Sequence, residues 1–216
     1  WLRSALPLMF ISGMQIINNR TATIMLGAIK GAEAVGIYAV ASRGTELITF
    51  VLLAVNSVLA PTVSGLYAVK DMKRLQRVIT KSARMVLAFS LPVALGLIIF
   101  GEWFLLLFGK NFIQGQTALT ILSIGQIINA SAGSVGLLLT MTGHERDTAL
   151  GVGISAIVSI VLNAILIPLW GLNGAAIATS SSMVLWNILL AIWVYKRIGI
   201  HSTALGEICF FRKISN

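Results

Sequence analysis

Three ionisable groups stand inside long apolar runs of this chain and so demand a chemical reason: Arg20, Arg43 and Glu46. A charge held in hydrocarbon costs at least about 2.5 kcal/mol, so it persists only where partners or a polar cavity receive it. Arg20 precedes the outer end of the first apolar run by eight residues, and Arg43 follows the outer start of the second by about eight. At 1.5 Å per residue both lie roughly 12 Å below one membrane surface. Polar residues recur around them at helical spacing. Ser12, Gln15, Asn19 and Thr23 form one stripe with Arg20 at its edge; Ser42, Glu46, Thr49 and Asn56 form the other, flanked by Arg43. Two polar faces on neighbouring helices predict a wet cavity whose candidate ligand-binding residues are Arg20, Arg43, Glu46, Gln15, Asn19, Thr49 and Asn56. Glu46 can pair with Arg43 at i, i+3 or with Arg20 across the hairpin, but one carboxylate cannot neutralise two guanidiniums. The surplus requires an acid from elsewhere or an anionic substrate, and a phosphate or diphosphate suits it because guanidinium matches phosphate oxygens bidentately.

Other chemistries find little support. His144 and His201 have no Cys, His or carboxylate cluster of metal spacing nearby, and no Ser/His/Asp set falls at a common depth. No Gly-rich nucleotide loop is present, and one cysteine, Cys209, excludes a disulfide framework. No catalytic residue, metal site or cofactor is expected, and TGHERD at 142–147 reads as a tight turn. Gln126, Asn129, Asn163 and Asn187 are further polar residues in apolar segments, expected to bond between helices.

The elements that must position these groups follow from composition. Hydrophobic residues make up 57% of the chain and charged ones only 11%, with a mean hydropathy of +0.91, whereas soluble domains carry about a quarter charged residues. Apolar runs long enough to cross roughly 30 Å of hydrocarbon recur along the chain. They predict helices at 4–28, 35–66, 84–101, 116–141, 148–168 and 173–195, an all-α transmembrane six-helix bundle filling residues 1–200. Short loops make successive partners antiparallel neighbours. The chain opens at Trp1 and runs at once into a helix, which suggests a missing upstream portion.

Charge sets the expected orientation. With the N-terminus inside, twelve Lys and Arg residues fall in inner segments and only Lys30 and Lys110 in outer loops, which places both termini of this fragment in the cytoplasm. The net charge of +9 is then directed at anionic membrane lipids and not at nucleic acid, since no basic domain could present a groove. Residues 68–84 carry Lys70, Lys73, Arg74, Arg77, Lys81 and Arg84 opposite Met72, Leu75, Val78 and Ile79, and so predict an amphipathic cytoplasmic connector on the inner leaflet. Residues 201–216 are expected to be a cytoplasmic tail. Small residues four apart, Gly151, Ser155 and Ser159, then Gly174, Ala178 and Ser182, predict packing stripes. Pro61 and Pro92 predict kinks.

Three segments carry a family resemblance: LRSALPLMF at the start, GAEAVGIYAVASR at 31–43 and WGLNGAAIATS at 170–180. They resemble the oligosaccharide flippases, which share a superfamily with the drug/cation antiporters and the lipid II flippases. The chain looks like the C-terminal half of such a transporter. The resemblance implies a two-bundle, alternating-access protein of a bacterial inner membrane that flips an undecaprenyl-diphosphate-linked oligosaccharide, with Arg20 and Arg43 as candidates for a cationic central cavity and a missing N-terminal helix bundle as partner. An ion gradient of H⁺ or Na⁺ would drive it. The nearest rival is a drug/cation antiporter, which would need membrane acids where this chain has mostly arginine. A non-transporting membrane subunit is at odds with the polar stripes, and an integral enzyme with the missing catalytic cluster.

Overall fold

The computed structural model describes the backbone of residues 2–204 and the side chains of residues 13, 14, 16, 18 and 20–204. Helix is the only regular structure among them. In chain order they form α1 (Leu2–Lys30), α2 (Ala32–Ala68), α3 (Met72–Ile99), α4 (Gly101–Leu106), a 3-10 turn (Lys110–Gly115), α5 (Gln116–Ala132), α6 (Val135–Met141) and α7 (Glu145–Ile198).

Turns at glycine separate the first elements. Gly31 (φ 87°) joins α1 to α2, and Gly27 packs against Val35 across that hairpin. Inside α7, Gly171 leaves helical geometry at φ 55°, ψ −124°. There the chain doubles back, because residues on either side of Gly171 meet as antiparallel partners. Ser155 Oγ donates to the Ser182 carbonyl at 3.1 Å, Gly151 lies beneath Leu190 and Trp193, and Arg197 pairs with Asp147 at 2.8 Å. Residues 145–170 and 172–198 are therefore two arms of a helical hairpin. Gly174 sits directly on the Leu166 carbonyl, where any Cβ would collide with backbone. The small-residue stripes are contact faces, which is how helices associate where lipid is as apolar as the side chains.

The expected segments and the observed elements differ at four places, one being the helices expected at 148–168 and 173–195, which run together in α7, so the seven helices do not map one to one onto six. The connector at 68–84 and the helix at 84–101 are one continuous α3. Asp71 caps it, its Oδ1 accepting the Arg74 N–H at 3.0 Å, and its Lys- and Arg-rich start is as good a helix former as its apolar remainder. The segment at 116–141 is broken into α5 and α6, bent by 42° at Gly133 (φ 73°) and Ser134. Residues 101–106, expected in a loop, form α4. Pro61 and Pro92 lie within α2 and α3, which continue through them.

Two clusters of buried side chains hold the bundle. Ala22, Leu26, Tyr38, Ala118, Leu122 and Ile167 pack near the Gly31 and Gly171 turns. Leu59, Val63, Leu75, Ile79, Leu138, Leu190 and Ile200 pack at the other end. Outside them lies an unusual amount of open apolar surface, including Leu169 at 68%, Ile99 at 66% and Ile157 at 62% exposure. Soluble monomers do not leave such area in water. By length and composition α2, α3 and α7 are each able to cross a membrane, and the bent α5–α6 pair is a fourth candidate.

Residues 199–204 do not hang free as a tail. They fold back over α3 and the α5–α6 break, burying Ile200, Ser202 and Ala204. Arg84 Nε donates to the Ala204 carbonyl at 3.0 Å, and the Ala204 N–H to the Ser131 carbonyl at 3.0 Å. Residues 205–216 lie outside the described residues.

Candidate functional site

Helix α2 has two opposed faces. Ile37, Tyr38, Ala41, Gly44, Thr45, Ile48, Leu59 and Val63 point into the bundle and are buried. Half a turn round, Arg43, Glu46, Leu47, Phe50 and Ser57 form one exposed stripe. Helix α1 repeats the arrangement, with Ala22 and Leu26 buried and Ile16, Arg20 and Ile24 exposed. The two helices touch through Ala22, Leu26 and Tyr38, and Arg20 and Arg43 stand on the exposed faces of these neighbouring helices.

The bundle alone therefore does not enclose the expected cavity. Arg20, Arg43 and Glu46 are on its outer surface, and a pocket containing them needs a second wall. Among the described residues the ion pair is Arg197 with Asp147, and neither Arg20, Arg43 nor Glu46 takes part in one. Thr49, half-buried, donates from Oγ1 to the Glu46 carbonyl at 2.9 Å, so its hydroxyl is spent on its own helix. Asn56 is drawn off the site as well, its Oδ1 accepting the Ser134 hydroxyl at the start of α6. The side chains of Gln15 and Asn19 lie outside the described residues. Of the seven candidates, Arg43 and Glu46 share a face of α2, Arg20 stands on the adjacent helix, and Thr49 and Asn56 each make a hydrogen bond within the bundle.

The remaining polar groups serve packing. Asn187 Nδ2 donates to Asn129 Oδ1 at 3.0 Å and Asn129 Nδ2 to Gln126 Oε1 at 3.1 Å, joining α7 to α5. Ser180 Oγ donates to the Ile121 carbonyl at 3.2 Å across the same interface, and Tyr38 shares a 2.9 Å hydrogen bond with Thr179. Asn163 instead bonds back to Ser159 on its own helix. A cleft of about 440 Å³ beside Gly125 and Ser180 is walled by Ile121, Ile124, Ile128 and Ile188 and holds none of the charged residues. No group of three or more His, Cys, Asp or Glu among the described residues could hold a metal.

Residues 2–115, which include both arginines and Glu46, match the family described as polysaccharide biosynthesis protein. The chain belongs to that family. A probable flippase, AglR, from Haloferax volcanii is 30% identical over 171 residues, covering 77% of this chain and 36% of the relative. A putative O-antigen transporter from Shigella flexneri is 27% identical over 200 residues, covering 88% and 47%. Among solved structures, a MOP superfamily transporter from Pyrococcus furiosus superposes with a TM-score of 0.76 at 18% identity, covering 100% of this chain and 47% of the other. A multidrug resistance MATE family transporter matches equally well, at a TM-score of 0.76 and 18% identity. At these identities the structural matches establish a shared fold. The resemblance seen in the sequence is thus borne out: this is a multi-pass membrane protein of a polysaccharide biosynthesis family, with a transporter fold. It spans less than half the length of the relatives it matches.

Proposed function

We propose that this chain is the C-terminal bundle of a flippase that moves an undecaprenyl-diphosphate-linked oligosaccharide across a bacterial inner membrane by alternating access. The observation that carries the reading is the exposure of Arg20 on α1 and of Arg43 and Glu46 on the neighbouring α2, three charged groups without an ion-pair partner among the described residues. Such groups are costly against lipid. A second bundle closing over that face would turn it into a central cavity with net positive charge, matched to a diphosphate. The chain's coverage of its relatives, 36% to 47% of their length, leaves room for that bundle.

On this reading α1, α2, α3, the bent α5–α6 pair and the two arms of α7 are six membrane crossings, and residues 1–200 form one bundle. The end holding Lys73, Arg74, Arg77, Arg146 and Arg197 faces the cytoplasm by the charge asymmetry of its loops, and anionic lipids line it. Rocking of one bundle against the other moves the substrate, coupled to H⁺ or Na⁺. The arginine excess on the open face favours this over exchange of a cationic drug, which calls for carboxylates there.

The test is transport by the full-length protein in vesicles carrying a fluorescent lipid-diphosphate oligosaccharide. Wild type should expose the label to an impermeant quencher on the far side, and Arg20→Ala with Arg43→Ala should abolish this at unchanged protein amount. Full transport by the double variant would remove the basis of the proposal.

A further inference from the structure

We infer that α4 and its flanks, residues 100–108, are a lipid-facing anchor seated at the headgroup boundary, at the end of the bundle that carries the Gly31 and Gly171 turns. The inference rests on the proposed membrane bundle with a second bundle over its arginine face, and not on the identity of the substrate.

Five large apolar side chains stand open within these nine residues: Phe100 at 62%, Trp103 at 74%, Leu106 at 44%, Leu107 at 83% and Phe108 at 52% exposure. The opposite face is tightly built. Gly101 and Leu105 are buried, and a Cβ on Gly101 would meet Leu119 at 3.0 Å. Phe104 packs so closely on α2 that a Cβ on Gly44 would come within 2.8 Å of its ring. Phe104, Phe108 and Phe112 then form a ladder of tilted rings with centroids 5.5 and 6.3 Å apart. The segment is thus fixed to the bundle on one side and apolar on the other, which is the construction of an anchor and not of a solvated loop.

Position decides what covers it. The patch continues the lipid-facing surface of α3, whose Val93, Leu95 and Ile99 are also exposed, and α3 is apolar enough to cross a membrane. It lies against the Ala41 and Gly44 side of α2, while Arg43, Glu46 and Phe50 occupy the other side. A second bundle docked on the arginine face leaves α4 pointing outward, so lipid is its occupant. Depth follows from the polar fringe: Glu102, Lys110 and Asn111 are exposed among the aromatics. Tryptophan with nearby charged groups marks the membrane–water boundary, where an amphipathic ring satisfies both sides.

The experiment uses full-length protein in vesicles, with Trp103 as the sole tryptophan and every other replaced by Phe, and reads quenching by brominated phospholipids. Lipids brominated high on the acyl chain should quench about twofold more than those brominated near the bilayer centre. Stronger quenching by the deep bromines places α4 in the hydrocarbon core and overturns the assignment. Absence of quenching overturns it too, with water-like emission indicating solvent and buried-type emission indicating a protein partner over the patch. Should the tryptophan-depleted protein not fold, a spin label on Leu107→Cys in a Cys209→Ser background gives the same decision. Collisions with oxygen and with an impermeant nickel chelate must then both be appreciable, whereas nickel access alone rejects lipid contact.

Discussion

The side chain of Gln76 pairs with the backbone of His201 at both of its ends, Nε2 donating to the carbonyl and Oε1 accepting the N–H, each at 2.8 Å. The amide thereby imitates one rung of a sheet between the first turns of α3 and the strap at 199–204. The His201 ring also lies 4.9 Å from that of Tyr195, so the chain leaves α7 in a defined direction.

Replacing Gln76 by Ala deletes both bonds between α3 and the strap, each worth about 0.5–1.5 kcal/mol. Faster amide exchange at residues 200–204, with exchange in α5 unchanged, is the expected result of hydrogen-exchange mass spectrometry. Unaltered exchange of the strap would mean that Arg84 and Ser131 hold it without Gln76.

Glycine contacts give a graded stability series. Gly174→Ala drives a Cβ into the Leu166 backbone, which cannot yield without opening the α7 hairpin. Gly44→Ala meets only side chains, the Phe104 ring and the Leu119 methyl, which can shift. Overpacking of the second kind costs about 1–3 kcal/mol, and the first should exceed it. Thermal aggregation in detergent should therefore rank wild type, Gly44→Ala and Gly174→Ala in falling order; a reversed order would contradict the tight α7 turn.

Hydropathy made the apolar segments legible, and small residues at spacing four marked the α7 contact faces, because a close approach needs both and each is written locally. The start of α3 was not legible as part of one helix. Hydropathy changes at Arg84 while the backbone continues through it, and the start of the helix is fixed by the Asp71 cap, which the structure shows. The break at Gly133 carries no proline to mark it in the sequence, and the six residues of α4 are too few to show a period. At the site, residue type and depth singled out Arg20, Arg43 and Glu46. Whether their stripe faced into or out of the bundle depended on which side of α2 met α3 and α5, which is set by packing partners distant in sequence. The hydrogen bond of Asn56 is set in the same way, its partner Ser134 lying at the start of another helix.

The start of α3 exposes Lys73, Arg74, Arg77, Lys81 and Arg84 on one side, with Leu75, Ile79 and Ala83 buried on the other. At 1.5 Å per residue the 28 residues of α3 reach about 42 Å, beyond the roughly 30 Å of hydrocarbon, and the proposed orientation puts these turns at the headgroups. Changing Lys73, Arg74 and Arg77 to Glu should lower membrane-inserted protein several-fold and reduce binding of anionic vesicles, each basic residue near such a surface contributing about 1 kcal/mol. In the wild-type background, a cysteine at Arg146 should react with an impermeant thiol reagent only from the cytoplasm, and one at Lys110 only from outside. Labelling of the opposite pattern would invert the proposed orientation.

The relation between Glu46 and the arginines distinguishes a binding face from a structural one. Both Glu46 and Arg43 are exposed on one stripe of α2, and neither forms an ion pair among the described residues. If the face binds a diphosphate, Arg43→Ala loses a charge-assisted contact of about 1.5–3 kcal/mol, which reduces export about ten- to a hundredfold at normal abundance. Arg43→Lys should recover only part of that loss, because the charge stays while the bidentate fork goes. Glu46→Gln should be tolerated or even favourable, since it leaves the face more positive. A structural pair predicts another pattern. Each single change would then lower the amount of folded protein by stranding a charge against lipid or a second bundle, and the double change Arg43→Gln with Glu46→Gln would restore it, because a lone buried charge costs more than none. Export and membrane abundance measured together for these variants separate the two outcomes, and recovery of both by the double change would move the phosphate site away from Arg43.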